Sequence, residues 1–98
     1  MAKLAWTESA HAQLDRLVVT QSLPSDTRER VEASVDRLKR FPRLGRQIGV
    51  RRGKMLWFLI GPWQWMLVVY VFDEEAELVQ VIAVEDGRAA RSSVTGRP

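Results

Sequence analysis

A run of eighteen uncharged residues, Met55 to Phe72, constrains the fold of this chain more than any other feature of its sequence. It reads MLWFLIGPWQWMLVVYVF and is long enough to cross a lipid bilayer as a helix. Gly61 and Pro62 interrupt the run, however, and a Gly-Pro pair is typical of a turn, while the flanking residues are largely β-branched or aromatic types that favour strands. We therefore predict two β-strands, residues 55–60 and 65–72, rather than a membrane-spanning helix.

Two further segments have the character of strands. Residues 78–84 are rich in valine and isoleucine and follow an acidic turn, Asp73 to Glu77, so the second half of the chain is predicted to be a meander of three strands. Near the amino terminus, Leu4 and Trp6 alternate with a period of two within residues 3–6. This short segment predicts an opening strand at an edge of the sheet.

Two amphipathic helices are predicted between the opening strand and the uncharged run. The first begins after Thr7, whose hydroxyl suits an N-cap, and the second follows Asp26, which forms a capping-box pattern with Glu29. Pro42 ends the second helix near Phe41. The apolar stripes comprise Ala10, Leu14, Leu17 and Val18 in the first helix and Val31, Val35 and Leu38 in the second.

These elements predict an α+β fold, β-α-α-β-β-β, in which a helical hairpin packs on a small twisted antiparallel sheet. The length of 98 residues suits a single domain over residues 1–98, with about 3–91 ordered and a flexible tail at 92–98. The strand at residues 55–60 has apolar side chains on both faces, and one hairpin covers only one face. An uncovered apolar face indicates a partner.

The composition excludes several kinds of chemistry. The chain has no cysteine and a single histidine, His11, so disulfides, thiolate catalysis and multi-histidine zinc sites are not expected, and we predict no metal and no cofactor. His11 lies beside the first apolar stripe and is predicted to be half-buried or solvated rather than catalytic. The amino terminus lacks the apolar region of a signal peptide, so a cytoplasmic protein is expected and no membrane association.

Positive and negative charges are segregated along the chain. Eight Lys and Arg residues and no acids lie between Arg37 and Phe72, whereas six acids and no Lys or Arg lie between Asp73 and Asp86. A helix dipole accounts for cations at the end of the second helix but not for those beyond it. The glycine-rich segment from Arg43 to Gly53 is predicted to be a flexible basic loop. The four cations of this segment and the lysine that follows it are candidates to contact an anionic or acidic partner: Arg43, Arg46, Arg51, Arg52 and Lys54.

Four short motifs together resemble the RelE/ParE superfamily of toxins from bacterial type II toxin–antitoxin, or plasmid stabilisation, systems. They are W-T-E-S-A at Trp6 to Ala10, L-x-x-F-P-x-x-G-R at Leu38 to Arg46, V-V-Y-V-F-D at Val68 to Asp73, and V-I-A-V-E-D-G-R at Val81 to Arg88. The resemblance covers residues 3–91. It implies the same element order, a toxic protein, and an antitoxin whose segment lies across the toxin surface in a hetero-oligomer.

The resemblance offers two modes of action. RelE-like members cut messenger RNA in the ribosome with basic residues on the central strands, a carboxyl-terminal arginine and often a tyrosine, whereas ParE-like members inhibit DNA gyrase. Here the corresponding strand positions, Trp65 to Leu67, are apolar, and no tyrosine follows Tyr70. Arg88 and Arg91 match the carboxyl-terminal basic positions and are, with the five cations named above, candidates to contact the target. The expected function is therefore growth inhibition by binding an essential target, with DNA gyrase favoured.

Two alternatives remain open at this stage. One is a ribosome-dependent mRNA endoribonuclease that is metal-independent and holds phosphates with Arg51, Arg52, Lys54, Arg88 and Arg91. The other is a non-toxic module that binds nucleic acid or protein. Trp57, Trp63 and Trp65 are predicted to contact the antitoxin, with base stacking as the alternative role. Glu85 and Asp86 point to opposite faces of a continuous strand, which argues against joint acid/base catalysis.

Overall fold

Five strands and two helices make up the computed structural model, which describes residues 1–88. The elements along the chain are β1 (Lys3–Trp6), α1 (Glu8–Thr20), α2 (Thr27–Asp36), a 3-10 turn (Arg37–Lys39), β2 (Arg46–Arg51), β3 (Lys54–Ile60), β4 (Met66–Asp73) and β5 (Leu78–Asp86). This order confirms the predicted α+β class. The predicted limit of order at residue 91 and the predicted tail at 92–98 lie outside the described residues.

The strands form one sheet in the order β1-β5-β4-β3-β2. The pairs β2–β3, β3–β4 and β4–β5 are antiparallel, whereas β1 is parallel to β5, with Lys3 opposite Leu78. The sheet is therefore mixed rather than purely antiparallel. A hairpin turn forces its two strands to be antiparallel, but β1 and β5 are connected through both helices and three strands, so no turn imposes that direction on them. The opening strand lies at an edge, as predicted.

The long uncharged run forms the hairpin of β3 and β4, as the Gly-Pro pair predicts. The amide of Gly61 donates to the carbonyl of Met66 at 2.8 Å, and the amide of Met66 donates to the carbonyl of Trp63 at 2.9 Å, which closes the turn. Among the helices of residues 1–88, none is both long enough and apolar enough to span a membrane.

The helix starts differ in how they are capped. The hydroxyl of Thr7 accepts a hydrogen bond from the amide of Ala10 at 3.0 Å, so the predicted N-cap of α1 is confirmed. Asp26 occupies the N-cap of α2, but its side chain makes no capping bond, and the predicted capping box does not form. Instead, the hydroxyl of Thr27 donates to the carbonyl of Pro24 at 2.6 Å. The buried residues of the helical stripes are Ala10, Leu14, Val31, Val35 and Leu38.

Strand β2 was not expected, because its residues lie in the segment predicted to be a flexible loop. It pairs with β3 at the sheet edge through a two-residue turn, in which Arg52 and Gly53 both have positive φ angles of 54° and 78°. Two such residues in succession match the backbone twist of a β-hairpin. An edge strand exposed on both faces lacks the apolar alternation by which strands are recognised in a sequence. The prediction of a loop over 46–51 is therefore wrong.

The helices cover only one face of the sheet. The side chains that pack with them come from alternate positions, including Trp57 on β3, Val68 and Tyr70 on β4, and Val79 on β5. Residues at the intervening positions, such as Leu56 and Val69, lie on the opposite face, which no helix of the described chain covers. The predicted uncovered apolar face is thus present. We call it the open face.

Candidate functional site: the open face and its basic end

A groove of about 520 Å³ runs across the open face. Its floor is apolar, one end is basic, and the strands β3, β4 and β5 each contribute to it. The residues that line it are Arg51, Arg52, Lys54, Leu56, Val69, Val71, Gln80, Ile82, Ala83 and Glu85. We call this the open-face groove. Its combination of apolar floor and charged rim is suited to binding a macromolecule with both apolar and anionic groups.

Cross-strand pairing places the floor residues side by side. Leu56 lies opposite Val71 across β3 and β4, and Val69 lies opposite Ala83 across β4 and β5. A register shift in the pairing of β4 with β5 follows Val69, and both Ile82 and Ala83 then contribute to the groove. Such an irregularity re-aims side chains where a strand would otherwise alternate strictly.

The β2–β3 hairpin brings three predicted site residues together at the basic end. Arg51 and Lys54 are opposite each other across the hairpin, and Arg52 lies in the turn between them. All three are exposed, and within residues 1–88 none of them has an ion-pair partner. Three unpaired cations at one end of a groove attract negative charge.

The other two cations of the basic segment are placed differently. Arg46 lies opposite Phe58, whose side chain is on the open face, so Arg46 is on the same face but farther along the edge than Arg51. Arg43 forms an ion pair with Glu74 at 2.8 Å and lies 5.2 Å above the ring of Phe72. The structure therefore joins Arg51, Arg52 and Lys54 in the groove and leaves Arg43 outside it.

Arg88 is engaged within the protein rather than in the groove. Its guanidinium donates to both carboxylate oxygens of Asp86, at 2.9 and 2.8 Å, and to the side-chain oxygen of Gln21 at 3.1 Å. It also lies 4.5 Å from the centre of the Trp65 ring. These bonds with Arg88 lower the pKa of the Asp86 carboxyl, and the pairing in turn raises the pKa of Arg88. Arg91 lies outside the described residues.

The predicted antitoxin contacts do not lie in the open-face groove. Trp57 is 9% exposed and stacks on Tyr70, with 6.2 Å between ring centres, on the helix-covered face. Trp57 is therefore a core residue on the helix-covered face, and an antitoxin contact with it stays a prediction. Trp63 and Trp65 lie at the β3–β4 turn, 6.4 Å apart, with Arg30 4.6 Å from Trp63. An antitoxin contact at these two residues stays a prediction.

Neither of the two aromatic groups that could transfer protons, the imidazole of His11 and the phenol of Tyr70, lines the groove. His11 stacks on Trp6 at 5.1 Å, and its Nδ1 lies 3.1 Å from the guanidinium of Arg28 on α2, which agrees with the half-buried role predicted for it. Tyr70 is the single tyrosine of the sequence, and its side chain points into the core. Neither an imidazole nor a phenol from residues 1–88 therefore faces the groove.

The hydroxyl of Tyr70 has a structural function. It donates to the carbonyl of Pro42 at 2.8 Å and accepts from the amide of Gly45 at 3.0 Å. Burial raises the pKa of Tyr70, and the bond from Gly45 opposes that rise. The motifs F-P-x-x-G-R and V-V-Y-V-F-D, which lie far apart in sequence, are thus in direct contact. These two hydrogen bonds attach the loop between α2 and β2 to strand β4.

The carboxylates of residues 1–88 form no metal-binding group, since nowhere in that range do three or more His, Asp or Glu side chains come together in a suitable cluster. Glu85 lines the groove, whereas Asp86 is bound to Arg88, so the adjacent pair is divided between two faces as predicted. Four residues of the groove floor are not among the site residues predicted from the sequence: Val69, Val71, Ile82 and Ala83. The sequence feature that could have identified these floor residues is the alternation of side chains between the two faces of each strand.

Comparison with known proteins supports the architecture. No protein-family model matches the chain, and a search of curated proteins gave no match. Among solved structures, the chain is similar to one described as the chromosomal ParDE TA system from P. aeruginosa, with a TM-score of 0.62 and 16% sequence identity. The match covers 88% of this chain and 96% of that chain. At this level of identity the similarity establishes the fold, which is that of a chain from a ParDE toxin–antitoxin system.

Proposed function

We propose that this protein is the toxin of a type II toxin–antitoxin module, that it inhibits growth by binding an essential target, and that a cognate antitoxin neutralises it in a cytoplasmic hetero-oligomer. DNA gyrase is the favoured target. The observation that carries the proposal is the open-face groove, with its apolar floor and three unpaired cations on a fold shared with a ParDE chain. The groove is equipped for binding a large partner.

The chemistry of the groove favours binding over RNA cleavage. Metal-independent cleavage requires groups that activate the 2′-hydroxyl, stabilise the charged intermediate and protonate the leaving oxygen. Arg51, Arg52 and Lys54 supply positive charge. Glu85 also lines the groove, but His11 and Tyr70 are held elsewhere by their own contacts, so no imidazole or phenol of residues 1–88 stands beside that carboxylate as a second proton-transfer group. A mode of action that depends on contact area and charge is therefore the better match to these residues.

Graded loss of toxicity is the first test of the proposal. In cells that express the chain, Arg51→Ala, Arg52→Ala and Lys54→Ala should each weaken growth inhibition partially, and double variants should weaken it more. Each exposed cation contributes about 1 kcal/mol or less, which is up to about fivefold in affinity. Arg16→Ala is the matched control, because Arg16 is an exposed arginine on α1, which packs on the opposite face. It should leave toxicity unchanged.

The target is tested with purified components. The chain should inhibit supercoiling of relaxed plasmid by DNA gyrase, the charge variants should require more protein for the same inhibition, and induced cells should filament before translation falls. If supercoiling is untouched while the chain still arrests growth, gyrase is not the target.

The ribosome-dependent endoribonuclease is kept as a second candidate because the β2–β3 hairpin gathers three cations that could hold phosphates. It predicts that ribosome-bound transcripts are cut within minutes of induction. It also predicts that loss of one charge-stabilising group lowers the rate of RNA cleavage by a factor on the order of 10² to 10³. Complete loss of cleavage and toxicity in Arg88→Ala alone would favour this candidate over the gyrase inhibitor.

The antitoxin is expected to carry acids that face the segment from Arg43 to Lys54. Affinity of the complex should then fall as salt screens these charges. If the antitoxin also covers Trp63 and Trp65, tryptophan emission should shift to the blue on complex formation, whereas Trp57 is already buried and contributes no shift. A complex that is insensitive to salt and leaves the emission unchanged would place the interface elsewhere.

A further inference from the structure

A second groove, of about 470 Å³, lies where α2 ends and the chain turns towards β2. Phe41 and Leu44 are its apolar centre, with 57% and 45% of their surface exposed. The remaining residues that line it are Met1, Ala33, Asp36, Arg37, Lys39 and Arg40. We call this the α2-end groove. Single exposed apolar residues are ordinary, but an exposed phenylalanine and leucine in one concave site indicate an interaction surface.

The backbone that carries these side chains is fixed. The amide of Phe41 donates to the carbonyl of Arg37 at 2.9 Å, and the amide of Leu44 donates to the carbonyl of Phe41 at 3.0 Å. The hydroxyl of Tyr70 then binds Pro42 and Gly45, on either side of Leu44. A surface that is ordered before binding loses less conformational entropy when a partner docks. The α2-end groove is therefore preorganised.

The rim of the α2-end groove is basic. Its one acid, Asp36, is neutralised by an ion pair with Lys39 at 2.9 Å. The guanidinium of Arg37 donates to the carbonyl of Ser34 at 3.0 Å and keeps its charge, and Arg40 has no ion-pair partner among residues 1–88. The positive charge of Arg37 and Arg40 is thus uncompensated beside an apolar centre.

We propose that the α2-end groove docks an acidic segment of a partner protein, with apolar side chains over Phe41 and Leu44 and carboxylates facing Arg37 and Arg40. A protein segment is favoured over nucleic acid because the centre includes the aliphatic Leu44, which offers no stacking surface for a base. None of the residues that line this groove lines the open-face groove, so the docking does not depend on the proposed toxin function.

The test uses the full chain, labelled for amide NMR, and three probes. These are a short peptide of glutamate, leucine and phenylalanine, the same peptide with lysine in place of glutamate, and oligouridine RNA. The acidic peptide should shift the amides around Phe41 and Leu44. Phe41→Ser and Arg40→Glu should each weaken its binding by about tenfold or more, the loss expected for an interface anchor. Added salt should weaken binding to the unaltered chain.

Val19→Ser is the matched control, because Val19 is also an exposed apolar residue, 77% exposed, but lies on α1 away from this groove. It should leave the affinity unchanged. Both Phe41 and Arg40 are exposed, so their variants should retain the circular dichroism of the unaltered chain. The proposal is overturned if the shifts map to the open-face groove, if the lysine peptide binds equally well, if the RNA binds the α2-end groove more tightly, or if Phe41→Ser binds normally.

Discussion

Removing the hydroxyl of Tyr70 should destabilise the protein far more than the loss of one oxygen atom would suggest. In Tyr70→Phe the ring still fills its buried position and still stacks on Trp57. The carbonyl of Pro42 loses its donor, however, and the amide of Gly45 loses its acceptor. The variant therefore removes only the two hydrogen bonds that join strand β4 to the loop between α2 and β2.

The two hydrogen bonds set the magnitude. Each contributes about 0.5 to 1.5 kcal/mol net, so the pair gives a loss of about 1 to 3 kcal/mol in the free energy of unfolding. Partly buried partners that are left unsatisfied move the value towards the upper end of this range. A loss of about 2 kcal/mol corresponds to a decrease in Tm of roughly 10 °C for a domain of this size.

Urea denaturation followed by circular dichroism measures this loss. The midpoint should fall while the m value is unchanged, since the surface exposed on unfolding is nearly the same. Ser34→Ala is the control, because it also removes a hydroxyl, but one whose bond to the carbonyl of Arg30 is at the surface. It should cost less than about 0.5 kcal/mol. Equal midpoints for Tyr70→Phe and Ser34→Ala would refute the role assigned to this hydroxyl.

Gly45→Ala extends the argument to the other side of the contact. A Cβ at this position would lie 2.4 Å from the backbone oxygen of Phe58 and 2.8 Å from the hydroxyl of Tyr70. The backbone oxygen cannot rotate away as a side chain could, so the loop must move. The cost in the double variant with Tyr70→Phe should be less than the sum of the two single costs, because the first change already removes the contact that the second disturbs. Strict additivity would show that the two residues act independently.

Three further predictions concern capping and titration. Thr7→Ala should cost about 1 kcal/mol of stability by urea denaturation, whereas Asp26→Ala should cost less than about 0.5 kcal/mol, because only the Thr7 side chain caps its helix. The folded-state pKa of Tyr70 is raised above its ordinary value of 10.0. The stability that the neutral phenol contributes is therefore fully present below pH 10 and is lost as the pH rises through the folded-state pKa. This alkaline loss of stability, followed by urea denaturation, should be absent in Tyr70→Phe. The hydrogen bonds from Arg88 hold the pKa of Asp86 below its ordinary value of 3.8. The stability contributed by this ion pair is therefore present above pH 3.8 and is lost as the pH falls through the folded-state pKa. Asp86→Asn should abolish this acid-dependent loss of stability in urea denaturation.

The helices and the inner strands were predictable because burial of one face requires apolar residues at a regular spacing in the sequence. Leu14 and Val35 recur within stripes that a helix places on one face, and the uncharged run is divided by its Gly-Pro pair into β3 and β4. Thr7 was recognisable as a cap because its bond to Ala10 is local, only three residues away. Features determined by neighbours in sequence or by burial of one face could thus be predicted from the sequence.

Strand β2 and the N-cap of α2 could not be predicted correctly, because they depend on backbone pairing and backbone conformation rather than on apolar spacing. The pairing of β2 with β3 satisfies the backbone of an exposed segment, and exposure removes any requirement for apolar alternation. Asp26 and Glu29 have the spacing of a capping box, but Asp26 has φ and ψ of −91° and 12°, not the extended conformation that Thr7 adopts at its cap, and its side chain makes no capping bond. Correct residue types at a correct spacing did not specify the backbone conformation.

The assignment of faces in β3 shows why the candidate site could be predicted only in part. Leu56, Phe58 and Ile60 alternate with Met55, Trp57 and Leu59, and both sets are apolar, so periodicity predicts an uncovered face without identifying its residues. In the structure Tyr70 lies opposite Trp57, and both pack in the core beneath the helices. The bond from the Tyr70 hydroxyl to the carbonyl of Pro42, 28 residues earlier, is compatible only with this face, and the antiparallel register places Trp57 on it as well. Leu56, Val69 and Val71 are consequently left on the open face, beside Arg51 and Lys54. The basic end of the groove was therefore predictable from the sequence, whereas its apolar floor follows from which side chains of β3, β4 and β5 pack against the helices.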